Sequence, residues 1–294
     1  MAPWLIAVMG PTGAGKTDLA EALADRLDAQ LVNADAFQVY RGMDIGTNKP
    51  PNRDRYRLLD LVEPSEPFGV GEWVRLARGI LEELFARGQS AVFVGGTGLY
   101  IRALFEEYAE MGEAPPPEVR ARVDEWRRAE GLEGLLRRLE PFGIPPGLDR
   151  KNPVRVSRAL ERALYPSQAP PVRLPPFRKR KIAISVPSAQ LEERVLARTR
   201  EFVQNGWVSE VEGLRSRGIG EDAPGMRAIG YRTLLRHLDG GVDREKAIAE
   251  IVRDTMRYAK RQRTWLRSEP GLVWIGAQSR SDLLAEALHS LEFD

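Results

Sequence analysis

The 294-residue chain contains no cysteine. That absence excludes disulfides, cysteine-ligated zinc, iron–sulfur clusters and thiol catalysis together. Histidine is almost missing too, since His237 and His289 leave little for imidazole–metal chemistry. No apolar run approaches the roughly 18–20 residues that cross a bilayer, so no membrane partner is expected. The stretch from Met1 to Gly10 has neither a basic leader nor a small-residue cleavage site. It reads as a first strand, and the protein as cytoplasmic. Internal repeats and low-complexity tracts are absent as well. The chemistry therefore falls to carboxylates, hydroxyls, lysine and arginine, and backbone amides.

What is present is a globular composition, 43% hydrophobic and 29% charged, long enough for one large domain or two smaller ones. Net charge is only +2, but it is unevenly placed. Residues 1–110 hold 11 basic and 16 acidic side chains, residues 111–177 hold 12 and 9, and residues 178–294 hold 21 and 17. A basic excess confined to the later segments points to a polyanionic partner for one side of the molecule. A preference for arginine, 37 against 7 lysines, accounts for the residue type but not for its placement.

Short apolar runs at 5–9, 31–35, 91–94, 181–186 and 272–275 alternate with segments of helical periodicity. Leu19, Leu23 and Leu27 mark one such helix, and residues 73–85 another. The alternation predicts an α/β protein with a parallel sheet of about five strands and ligands at their carboxyl ends. Residues 112–177 break the pattern. Prolines cluster at 115–117 and again at 166, 170, 171, 175 and 176, bracketing helical stretches at 118–128, 132–139 and 153–164. This reads as a mostly helical inserted domain on proline-rich hinges. The expected core is then residues 1–111 and 178–294, with 189–267 mostly helical.

Between the first strand and the first helix lies Gly10-Pro11-Thr12-Gly13-Ala14-Gly15-Lys16-Thr17, a G-x-x-x-x-G-K-[ST] loop. Its glycines let successive amides and a helix N-terminus converge on phosphate oxygens. Lys16 adds a positive charge, and the Thr17 hydroxyl suits a Mg²⁺ ligand. The expected core is thus P-loop NTPase-like. A nucleotide hydrolase of this class also needs an acid ending a later strand. Here the strand at 91–94 runs instead into Gly95-Gly96-Thr97-Gly98-Leu99-Tyr100. The one strand-end carboxylate is Asp35, in Asp35-Ala36-Phe37-Gln38-Val39-Tyr40; it could hold metal through water or act as a general base.

Taken in order, four motifs carry a resemblance: G-P-T-x-x-G-K-T at 10–17, D-x-x-Q-V-Y at 35–40, G-M-D-I-G-T-x-K-P at 42–50 and G-G-T-x-L-Y at 95–100. With the stretches 152–160, 226–232 and 258–265, the chain resembles the bacterial tRNA dimethylallyltransferases over almost its whole length. One departure is Ala36, where the family usually has serine. The resemblance implies transfer of a dimethylallyl group from its diphosphate to N6 of the adenosine beside a tRNA anticodon (position 37). It implies that residues 10–17 cradle the diphosphate with Mg²⁺ on Thr17, and that Thr97 donates near the bridging oxygen. Asp35 would accept the N6 proton, and Gln38 would contact the target adenosine, with Ala36, Phe37 and Arg227 nearby.

Charge placement extends the expected tRNA contacts. On the last long helix Arg253, Arg257, Lys260, Thr264 and Arg267 fall within about 40° of one line, opposite Ile248, Ile251, Val252, Tyr258, Ala259, Trp265 and Leu266. A stripe of cations over a buried face suits a phosphate backbone, as do Arg120, Arg155, Ser157 and Arg158 of the insertion. A stacked adenine would have to swing out to reach Asp35, with the insertion as a clamp. A monomer is the default expectation. Three rivals stay open: an ATP-dependent small-molecule kinase with the insertion as lid, a prenyltransferase using free adenine nucleotide, and a non-catalytic RNA-binding module.

Overall fold

The computed structural model describes residues 2–106, 115–166, 173–276 and 279–292. Among these, six strands form one parallel sheet: β1 (Trp4–Met9), β2 (Gln30–Asn33), β3 (Tyr56–Arg57), β4 (Ala91–Val94), β5 (Arg178–Ile184) and β6 (Leu272–Ile275). Their order is β3-β2-β4-β1-β5-β6. The register sets Leu5 beside Ala91 and Val8 beside Val94 on one flank of β1, and Val8 beside Ile182 on the other. β1, β2 and β4 are fully or nearly fully buried, as expected for strands covered on both faces by helices.

The chain moves to one side of β1 for β2 through β4 and to the other for β5 and β6. The reversal lies between β1 and β4, and an open α/β sheet binds ligands beyond the carboxyl ends of its strands at such a switch point. Gly10 follows β1 and Gly95 follows β4, so both glycine-rich loops open at that crevice.

Six strands replace the five expected. The addition, β3, has only two residues, too few for any alternation to register. It forms because β2 offers it an edge, with Leu31 beside Tyr56 and Val32 beside Arg57. Two carboxamides reinforce the edge: Gln30 Nε2 donates to Arg55 O at 2.8 Å, and Asn33 Nδ2 to Leu58 O at 2.9 Å. β5 starts three residues before the apolar run because its polar opening is sheltered by packing. Arg178 stacks over Trp4 at 3.9 Å.

Helices α1 (Lys16–Leu27), α2 (Val70–Ala86) and α3 (Gly98–Phe105) follow the early strands. The chain divides into two compact units, residues 1–106 with 174–294, and residues 107–173. The second unit holds α4 (Pro117–Leu139) and α5 (Pro153–Leu164). Val123, Leu135 and Leu139 of α4 pack with Val156, Ala159 and Leu160 of α5 in its own core. Gly131 interrupts α4 with φ 65°, at the gap between the two helical stretches read from sequence. Asn152 caps α5, accepting from Val154 N and Arg155 N at 3.1 and 3.2 Å. The boundary read at 112 and the hinge prolines Pro170 and Pro171 lie outside the described residues.

After β5 come α6 (Ser188–Gln204), α7 (Trp207–Ser216), α8 (Tyr231–Leu238) and α9 (Arg244–Leu266), and after β6 comes α10 (Arg280–Glu292). Among the described residues no helix is long and apolar enough to cross a membrane. A buried ion network ties α3 and β5 to the end of α9. Glu269, with no side-chain exposure, accepts from Arg102 Nε at 2.8 Å and Lys181 Nζ at 2.7 Å. Arg102 also lies over the Trp265 ring at 4.1 Å. Removing one member of such a network strands buried charge. Glu269→Ala is expected to cost about 3–5 kcal/mol in urea denaturation followed by circular dichroism; a loss under about 1 kcal/mol would contradict this role.

Candidate active site

Of the residues read as catalytic, Lys16 and Asp35 line one cleft, and Thr97 lines an adjoining cavity that shares Gly95 and Gly96 with it. A cavity of about 350 Å³ is lined by Thr12, Lys16, Thr17, Asp35, Gln38 and Arg198, among others. Its floor is the phosphate loop. Gly15 takes φ 89° immediately before α1, a left-handed turn that aims the first amides of the helix into the cleft. Lys16 folds back over the loop and donates to Pro11 O at 3.0 Å. Desolvation in this crowded position pushes its ammonium pKa down to about 8, against the pull of Asp35, and Arg198 lowers it further.

Asp35 sits two residues beyond β2, held by its neighbours on every side. Asn33 does most of this: its Oδ1 accepts from Asp35 N at 2.9 Å and its Nδ2 donates to Asp35 O at 3.2 Å. Trp73 of α2 donates its indole N–H to Asn33 O at 2.9 Å. One carboxylate oxygen of Asp35 accepts from Phe37 N at 2.9 Å, so the chain turns sharply after it. Next to it, the Thr97 hydroxyl accepts from Ala36 N at 2.9 Å. That contact uses a lone pair of Thr97 and leaves its own O–H free to donate.

Gln38 is fixed as well. Its Nε2 donates to Thr47 O at 3.0 Å and to Asn48 O at 2.9 Å. Both partners are acceptors, so the carboxamide oxygen remains for a ligand. The loop supplying those carbonyls is pinned by Lys49, whose buried ammonium pairs with Asp44 at 2.8 Å and with Asp60. Glu210 of α7 holds it from the other side, accepting from Asp44 N and Ile45 N at 2.7 Å.

A second cavity of about 240 Å³ shares Thr12, Asp35, Thr47 and Arg198 with the cleft, and adds Phe37, Phe202, Trp207, Arg227 and Tyr258. Asp35 thus faces a polar, cationic space on one side and an aromatic one on the other. A third cavity, mostly apolar, lies beside Gly96, Thr97, Tyr258 and Trp265. Burial, then the Asp35 charge, holds the Tyr258 and Tyr100 hydroxyls well above the usual phenol range, so both stay neutral donors.

The structure brings together residues 12–17, Asp35, Gln38 and Thr97, with Phe37 and Arg227 adjoining. Arg253, Arg257 and Lys260 are exposed on the outer face of α9, while Tyr258 and Gln262 of the same helix face the cavities. Asp254 pairs with Arg257 at 3.3 Å and offsets part of that stripe. In the helical unit Arg155 is exposed, whereas Arg120 and Arg158 both pair with buried Glu161. Ser157 departs from expectation: at 4% exposure it packs in the helical core beside Val156 and offers no surface contact.

Three site residues escaped the sequence reading. Arg198 of α6 donates to Thr12 Oγ1 at 2.8 Å, and burial lowers its pKa. Tyr258 was assigned to packing, and Gln262 to neither face. All three come from helices, where periodicity separates buried from exposed but does not mark what the buried side touches.

The model of the IPP transferase family matches residues 38–269. The chain belongs to this family. Similar members include the tRNA dimethylallyltransferase of Magnetococcus marinus, 38% identical over 97% of this chain and 99% of that one. That of Heliobacterium modesticaldum is 35% identical over 92% and 89%. Among solved structures, the full-length tRNA isopentenylpyrophosphate transferase of Bacillus halodurans matches with a TM-score of 0.73 at 31% identity, covering 98% of this chain and 96% of that one. The IPP transferase membership bears out the resemblance, and the parallel sheet with its structural match bears out the α/β core read from alternating strands and helices.

The depressed Lys16 pKa generates a pH prediction for this IPP transferase family member. Its ammonium is present below about pH 8 and lost above it. An alkyl diphosphate, the kind of anion a phosphate loop takes, keeps its charge over that range, since the last phosphate ionisation lies near about 6. Alkyl diphosphate affinity should therefore fall above pH 8, by up to about tenfold per pH unit. Calorimetry should register proton uptake on binding at pH 8.5. A flat affinity from pH 7 to 9 would place the working charge elsewhere.

Proposed function

We propose that the chain transfers a dimethylallyl group from dimethylallyl diphosphate to N6 of an adenosine in tRNA, adenosine 37 beside the anticodon, releasing diphosphate. The observation that carries this reading is the pairing of an anion cradle with a carboxylate across one cleft, without the acid that a nucleotide hydrolase places after β4. The relatives named above are tRNA dimethylallyltransferases, which favours the same donor and acceptor.

In the reaction the allylic C–O bond breaks and the N6–C bond forms. Positive charge develops on the allylic carbon and negative charge on the departing diphosphate. The amides of Gly13 and residues 15–17, Lys16 and Arg198 meet that negative charge, and the free O–H of Thr97 is available to the bridging oxygen. Asp35 accepts the N6 proton and orients the amine, a weak nucleophile until aligned. The Gln38 oxygen, its amide nitrogen held by Thr47 and Asn48, accepts from a base N–H donor. The aromatic cavity of Phe37, Phe202 and Trp207 suits a flipped base.

Magnesium is proposed to sit on Thr17. Its hydroxyl lines the cleft beside the phosphate loop, and the remaining ligands would be diphosphate oxygens and water. Among the described residues no group of three or more carboxylates or imidazoles forms a cage of its own. That donor set fits an ion carried in with the diphosphate, where it would neutralise phosphate charge.

Arg253, Arg257 and Lys260 grip the tRNA backbone, with Arg155 of the helical unit a further contact. The protein works in the cytoplasm, as a monomer. Replacing the three α9 cations together by Gln should weaken an anticodon stem-loop and flatten the salt dependence of binding by about 2–3 in log–log slope. Dimethylallyl diphosphate binding should be unchanged. If AMP is prenylated as efficiently as the stem-loop, the acceptor is misassigned.

Asp35→Asn keeps the shape and removes the basic oxygen. Single-turnover transfer should fall by about 10²–10⁴-fold, roughly 3–5 kcal/mol of barrier, with diphosphate affinity little changed. A loss of Mg²⁺-dependent diphosphate affinity, rescued by excess Mg²⁺, would make Asp35 a metal ligand instead. Near-wild-type turnover would remove it from the chemistry.

A further inference from the structure

Gln262, on the inner side of α9, is 7% exposed. Its Oε1 accepts from Thr12 N at 2.9 Å, and its Nε2 donates to Gly96 O at 2.9 Å. The two ends cannot exchange, because a backbone N–H only donates and a carbonyl only accepts. One planar group therefore joins the phosphate loop after β1 to the Thr97 loop after β4, and both to α9. Gly96 is pressed into this junction: a Cβ there would lie 2.6 Å from Gln262 Nε2 and 3.3 Å from an Asp35 carboxylate oxygen.

We propose that Gln262 is a positioning residue for the transfer reaction. Both its polar ends are taken by the protein, so it acts through Thr12 and Gly96, holding the leaving-group cradle and the Thr97 hydroxyl at one fixed separation. Neither loop has regular structure to do this, since both begin where their strands end. The bond also turns the Thr12 N–H toward α9, and Ala14 N donates to Pro11 O at 3.2 Å, so the cradle is built from the amides of Gly13 and residues 15–17. A donor displaced by about 1 Å can cost about 100-fold in rate, which sets the expected effect.

The inference rests on the transfer reaction proposed above, and its test separates the two. In Gln262→Glu the ionised carboxylate can still accept from Thr12 N but cannot donate to Gly96 O. The protonated acid can do both. The new carboxyl would face Asp35 across Gly96 with the Tyr258 hydroxyl beside it, and burial and like charge would raise its pKa above the usual value of about 4.3. At pH 8 its kcat should fall about 100-fold. The ratio of variant to wild-type kcat should then climb as pH falls toward 5.5.

Gln262→Met, of similar length with neither donor nor acceptor, should lose about 100-fold in kcat at every pH. Its affinity for dimethylallyl diphosphate should stay within about threefold, because residues 13–17 and Lys16 remain. Independently of turnover, hydrogen exchange at the Thr12 amide should accelerate by about tenfold or more in this variant. A Gln262→Glu kcat at pH 8 within about twofold of wild type, a Gln262→Met kcat within about twofold of wild type, or unchanged Thr12 exchange would each overturn the assignment. A wild-type protein that protects the Thr12 amide yet transfers no prenyl group would overturn the reaction and leave the Gln262 linkage standing.

Discussion

The hydrogen bond from the Ala36 amide to the Thr97 hydroxyl, 2.9 Å long, connects the loops after β2 and β4 that carry Asp35 and Thr97. The sheet brings these loops together by burying Val32 and Phe93 in adjacent strands, but a sheet positions only its strands. Beyond the last ladder bond, each loop needs its own restraints. Asn33 supplies them for Asp35, Thr97 joins that loop to its neighbour, and Gln262 ties the neighbour to the phosphate loop. The same bond sets the Thr97 hydroxyl's polarity, since an oxygen that accepts from Ala36 keeps its proton for a ligand. A backbone amide serves here whichever side chain follows Asp35, so Ala36 leaves this link intact where relatives usually have serine.

Charge is arranged to the same end. Lys16 and Arg198 are both destabilised as cations by burial, a cost that an arriving anion removes. The Asp35 carboxylate accepts from the backbone amide of Phe37, and Lys16 reaches it through charge rather than through a hydrogen bond. A carboxylate whose direct bond is to a neutral amide keeps lone pairs for a ligand's donor. One locked into an ion pair, as Glu269 is with Arg102 and Lys181, does not. The two acids therefore do opposite work: buried Glu269 braces the frame, and half-buried Asp35 faces the cavity.

Much of this was legible in the sequence because the key groups sit in contiguous motifs. The phosphate loop, Asp35, Gln38 and Thr97 each lie within a few residues of a strand end, where local pattern and fold coincide. The break at Gly131 was legible for the same reason, as the gap between two helical stretches. What escaped depends on long-range packing. β3 exists only because β2 presents an edge to it, and Arg198, Tyr258 and Gln262 reach the site from helices formed much later in the chain. Ser157 was misplaced because a small polar residue in a helix reads as surface until the packed partner is known.

The most direct test of the central claim is mass analysis of nucleosides from unmodified tRNA incubated with the protein, dimethylallyl diphosphate and Mg²⁺. The account predicts an adenosine heavier by one C₅H₈ unit, mapped by digestion to the position beside the anticodon and absent with Asp35→Asn. Unaltered nucleosides under conditions where the donor binds, or transfer to free AMP in preference to tRNA, would contradict it.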